Sequence, residues 1–171
     1  MRSSRRGRGR VGDGERVLAA ADLPDGSRVA ATRVALHLPA PSAGSAGPDG
    51  ISHRIPWEQV QSARWDPDTS TLVVTEVGEW GRVRPVHRVV LDEPGPLLPV
   101  VRERVSASVV LQRRVLVSGS AGATVIARRP PRPDGQVTWL VEYDDRVDPD
   151  DPRVRALVDA ALAAAREETG Q

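Results

Sequence analysis

Turn chemistry interrupts this chain at short, regular intervals, and that cadence limits the fold more than any other feature. "PDG" at 24–26, "PDTS" at 67–70, "EPGP" at 93–96 and "GSAG" at 119–122 separate brief apolar runs. Proline presets one turn dihedral and glycine supplies positive φ, so each cluster reverses the chain within a few residues. Short reversals between short apolar runs build hairpins, whereas a parallel sheet needs long crossovers. The expected class is therefore α+β with mostly antiparallel sheet.

The runs themselves fill in the plan. "ERVLAAADL" and "SRVAATRVALHL" flank "PDG" as a first hairpin. In the second of these, Val29, Ala31, Val34, Leu36 and Leu38 do not share one parity, which predicts a bulge or a doubly buried stretch near Thr32 or Arg33. "PAPSAGSAGPDG" is expected to be a loop. "ISHRIPW" and "VQSARWD" follow as strands joined at "EQ", with Pro56 confined to an edge or a bend because it lacks an amide proton. "TLVVTEV" and "VRPVHRVVLD", separated by the turn "GEWGR", complete six strands.

Beyond "EPGP" the period changes. Leu98, Val101, Val105 and Val109 recur at helical spacing from Leu97 to about Val110. Three strands, "RRVLVS", "ATVIARR" and "VTWLVEYDD", come next. A final helix should start with Asp151 as N-cap and Pro152 in its first turn, carry Val154, Leu157, Val158, Ala161, Leu162 and Ala165 on one stripe, and end near Gly170.

Composition removes several chemistries. The 171 residues contain no cysteine, and all 24 basic residues are arginine. Disulfides and thiolate catalysis are excluded, and so are a Schiff-base lysine and the lysine of a phosphate loop. No apolar run reaches the roughly 20 residues that span a bilayer, and a cytoplasmic location is expected. The net charge of +1 conceals a basic start, with Arg2, Arg5, Arg6, Arg8 and Arg10, and an acidic segment "EYDDRVDPDDP".

Two segments carry a family resemblance. "VAATRVALHL" resembles the second strand of bacterial pleckstrin-homology-like (GRAM-like) domains, and "RIPWEQVQSARW" resembles the element at which two of their strands meet. The whole chain is also similar to a conserved actinobacterial group, a likeness that implies no activity. The resemblance implies a pleckstrin-homology-like β-barrel closed by a helix over residues 15–112; residues 1–14, with almost nothing apolar to bury, are expected to be a structureless tail. A three-stranded β-rich extension and a C-terminal helix at 113–171 then go beyond one such unit. Relatives of this fold that bind phosphoinositides use basic residues beside the first hairpin. Here that turn reads "DLPDGSR", where Asp22 and Asp25 would repel a headgroup, so no phosphoinositide site is expected.

The candidate residues are few. Trp57 and Trp65 read as core indoles, while Trp80, between glycines in its turn, reads as a contact residue. The expected function is non-catalytic binding of a protein or peptide through Trp80, Arg82, Arg102 and Arg104. The alternative is nucleic-acid or anionic-surface association through Arg2, Arg5, Arg6, Arg8 and Arg10. His37, His53 and His87 lie on separate strands without HxxxH or HExxH spacing, and the acidic segment lacks the register of a calcium loop. The sequence thus predicts no metal, no cofactor and no enzymatic activity.

Overall fold

The computed structural model describes residues 9–12, 14–39, 51–78, 83–131 and 135–170. Every strand pairing is antiparallel and two α-helices accompany the sheets, an α+β arrangement. Among the described residues, no helix is long and apolar enough to cross a membrane. The chain divides into two compact units, Met1–Ala107 and Ser108–Gln171, so the division falls a few residues before the expected 112/113 boundary.

In the first unit a five-stranded sheet runs in sequence order through β1 (Arg10–Val11), β2 (Glu15–Asp22), β3 (Arg28–Thr32), β4 (Ala35–Pro39) and β5 (Ile51–Pro56). The β2–β3 turn is the expected one. Asp25 Oδ1 accepts from the Ser27 amide at 2.8 Å, and Gly26 takes a φ of +82° that a side chain would strain.

The second half of the first hairpin is buried on both faces, one of the two expected outcomes, and is split into two strands. The parity conflict near Thr32 is resolved by a complete reversal, with Ala31 opposite Leu36 and Ala30 opposite His37. Thr32 holds this turn: its Oγ1 accepts from the amides of Val34 at 3.3 Å and Ala35 at 3.1 Å. A threonine hydroxyl that satisfies local amides offers the backbone an alternative to the ladder, and the strand ends there.

The bulge lies instead in β2, where the register shifts between Val17 and Ala19. A one-residue slip exchanges faces. Val17 accordingly packs with Val11 and Ala30 in a small cluster on one side, while Ala19 and Ala21 join the main core on the other. Within the stretch expected as a tail, Arg10 and Val11 form β1, where Val11 pairs with Glu15 and is buried, and residues 1–8 and 13 lie outside the described residues.

A 3₁₀ turn, Trp57–Gln59, leads into a second sheet of β6 (Val60–Asp66), β7 (Thr71–Glu76) and β8 (Val86–Val90). Pro56 closes β5, an end strand of its sheet among the described residues, where the missing amide breaks no ladder. Helix α1 (Leu97–Ser108) follows. The core gathers Leu36, Leu38, Ile55, Trp57, Val60, Leu72, Val74, Leu91, Leu97 and Val101. Trp57 is fully buried and its Nε1–H donates to the Thr32 carbonyl at 3.0 Å, so the indole contributes area without an orphaned donor.

The second unit is a sheet ordered β11 (Thr138–Tyr143), β10 (Ala121–Arg128), β9 (Val109–Ser118), with helix α2 (Pro152–Thr169). Val154 and Val158 of the helix pack with Ala123, Val117, Val141, Tyr143 and Leu162. Asp151 caps the helix by accepting from the Arg153 amide at 2.8 Å, and Gly170 ends it in the left-handed region at φ 69°.

Candidate functional site

Two features of the first unit stand out from its packing. One is a groove of about 910 Å³ beside α1, lined by Ala63, Trp65, Leu72, Leu98, Val101 and Arg102 among others. Residues 63 and 65 of β6 share a face by strand alternation, while Leu98, Val101 and Arg102 recur at helical spacing, so the lining follows from both periods. Trp65 is half-buried, in contrast to Trp57. Arg102 is exposed beside it, and Glu103 accepts a hydrogen bond from Arg104 Nη2 at 2.9 Å. The groove thus pairs an apolar floor with a rim that carries both Arg102 and Glu103, the latter engaged by Arg104.

The second feature is a polar cluster formed by β5, β7 and β8. Nε2 of His53 lies 3.0 Å, and Nε2 of His87 2.6 Å, from the same oxygen, Glu76 Oε1. The two imidazole rings are 4.8 Å apart, centroid to centroid. Because a carboxylate only accepts, each Nε2 carries the shared proton. Burial pushes the Glu76 carboxyl up, but the hydrogen bonds from both histidines and their charge outweigh it, leaving the group below its ordinary value of 4.5. Sequence spacing gave no sign of this site, since its members are 23 and 11 residues apart.

His37 does not join them. Its Nε2 lies 3.1 Å from Glu15 Oε2, which also accepts from Thr32 Oγ1 at 2.5 Å, while Glu15 Oε1 accepts from Arg54 Nε at 2.7 Å.

Of the residues singled out in the sequence, Arg102 borders the groove and Arg104 is half-buried against Glu103. Trp80 and Arg82 lie outside the described residues, as do Arg2, Arg5, Arg6 and Arg8; Arg10 is exposed in β1. The acidic segment is engaged within the second unit. Asp144 forms a two-pronged pair with Arg114, Asp150 pairs with Arg155, Asp148 accepts from the Asp150 amide and Asp151 caps α2. "GSAG" forms the β9–β10 hairpin turn, with Gly119 at φ +57°. Compared with protein-family models, curated proteins and solved structures, the chain matches none of them.

Proposed function

We propose that the chain is a non-catalytic binding module, its first unit a pleckstrin-homology-like domain, that docks a short segment of a protein partner in the groove beside α1. One observation carries this reading: a half-buried indole, Trp65, lies in an apolar groove bordered by the exposed Arg102. Two antiparallel meanders followed by a helix support the domain assignment. Amphipathic aromatics in partly desolvated grooves are favoured anchors, and a rim arginine selects a carboxylate. The segment that fits carries an aliphatic side chain against Trp65 and Leu98, with an acidic residue next to it for Arg102.

Selection from a displayed library of random peptides on the full chain tests this. Recovered peptides should share an aliphatic residue with a neighbouring carboxylate. They should be lost both with Ser106→Trp, which fills the groove from an exposed position, and with Arg102→Glu, which reverses the rim charge. Peptides indifferent to both substitutions, or no enrichment at all, would refute the groove as the binding site.

A further inference from the structure

The geometry points to a divalent transition-metal site, of the kind that takes zinc, formed by His53, Glu76 and His87. Their ligating atoms all lie within 4.8 Å of one another. Two imidazoles and one carboxylate are a donor set suited to zinc-class ions, and three protein ligands leave a fourth position for water or a partner's group. Tetrahedral coordination at about 2.0–2.1 Å separates neighbouring donors by roughly 3.3 Å. The present separations of 3.0 and 2.6 Å from Glu76 Oε1 need to open by a fraction of an ångström, while the two histidine donors, within 4.8 Å of one another, must draw together.

The hydrogen bonds that assemble the cluster also mark where the ion goes. Each Nε2–H now donates a hydrogen bond to Oε1; the ion takes the hydrogen's place, the proton moving to Nδ1 of a neutral ring, or being released to water from a ring that already carries one on Nδ1. The backbone brings the three side chains together. His53 stands opposite Leu38, His87 opposite Val74, and the Glu76 amide donates to the Pro85 carbonyl at 3.0 Å. The His53 side chain is 41% exposed, so an ion reaches the site from solvent. Arg54, next in sequence, lies on the other face of β5 and is held by Glu15, which keeps its positive charge out of the cluster.

The full chain, purified without a histidine tag and stripped with chelator, should be titrated with Co²⁺ and then challenged with Zn²⁺. The expected result is visible absorption of low-coordinate cobalt that saturates at one equivalent and is displaced by zinc. His53→Gln and His87→Gln should each weaken zinc binding by more than about tenfold, since even second-shell losses reach that size. A measurement on the unsubstituted chain guards against variants that fail to fold. In ¹H–¹⁵N spectra of the histidine rings, Zn²⁺ should shift the Nε2 signals of His53 and His87 and leave those of His37 in place. Six-coordinate cobalt alone, no saturation at one equivalent, or a shift in fewer than both histidines would overturn the site and leave the cluster as a hydrogen-bonded brace between strands.

Discussion

Two carboxylate–histidine clusters sit on opposite faces of the same strand pair, and they use the same chemistry to different ends. The register places His37 opposite Arg54 and Leu38 opposite His53, so alternate residues feed the two sides. On one side Glu15 divides its oxygens among Thr32, His37 and Arg54, and His37 is 1% exposed. On the other, Glu76 presents a single oxygen to two half-exposed imidazoles. A network whose acceptors are used up and whose cation is an arginine can only be structural, since any added ion would face that charge. A network that converges on one oxygen, with no arginine in it among the described residues, can exchange its protons for a metal. Saturation and the identity of the cation, rather than the presence of histidine, separate the two.

The widest gap should appear on deleting the carboxylates. Glu15→Ala strands a buried imidazole, frees an exposed guanidinium and leaves the Thr32 hydroxyl only the Ala35 carbonyl to donate to, and should cost about 2–4 kcal/mol in urea unfolding. Glu76→Ala in metal-free protein leaves groups that water can reach, and should cost about 1 kcal/mol or less. Equal losses would erase the distinction drawn here.

Gly12 gives a second handle on the closed side. It stands at φ +53°, and a Cβ there would lie 3.3 Å from His37 Cε1. Gly12→Ala should therefore lower stability by about 1–2 kcal/mol through backbone strain and crowding of the ring. The thermal midpoint reads this directly, and an unchanged midpoint would mean that β1 does not seal His37.

These contrasts also show which parts of the molecule could be read from sequence. Features set by neighbours in the chain were legible: the Asp151–Pro152 start and Gly170 end of α2, the Gly26 turn, and the place, though not the form, of the irregularity at Thr32. That position was read as a bulge or a doubly buried stretch because parity reports only that both faces carry apolar residues; the burial on both faces is there, and the reversal depends on Thr32 Oγ1 capping two amides. The division after Ala107 was not legible because α1 passes into β9 at Ser108–Val109 with neither glycine nor proline to mark it. Trp57 was legible as core, and Trp65, read as core as well, packs against the same cluster but stays half-buried at the groove, since strand alternation says which face a residue takes and not what covers it. The His53–Glu76–His87 cluster was not legible because it depends on how β5 meets β7 and β8, which no local spacing encodes.

Acid should separate the clusters from the rest of the fold. Burial raises the Glu15 carboxyl, but the hydrogen bonds from Thr32, His37 and Arg54 and the charge of Arg54 more than offset it, and it ends below 4.5. A carboxylate depressed on folding adds stability above its unfolded value, and that contribution is lost as pH falls through the folded one. The urea midpoint should therefore drop below about pH 4.5 in the parent chain. Glu15→Gln should flatten that dependence; an unaltered slope would place the acid sensitivity elsewhere.

The smallest effect is expected at Asp144, in the second unit, and it tests whether burial or charge pairing governs these differences. Asp144 meets Arg114 with both oxygens and accepts from the Gly122 amide at 2.8 Å, and chiefly the Arg114 hydrogen bond lowers its carboxyl from 3.8 to about 2. Its shift is thus large, yet the pair lies at the surface, where salt screens it and water solvates either partner alone. Carboxyl ¹³C resonances should show Asp144 titrating near pH 2. Its contribution to stability, present above 3.8 and lost toward the folded value, should be small and should shrink further in high salt. Asp144→Asn should accordingly move the urea midpoint far less than Glu15→Ala. If Asp144→Asn instead cost as much, the depth of a carboxylate's pKa, and not the closure of its surroundings, would rank the polar contacts of this protein.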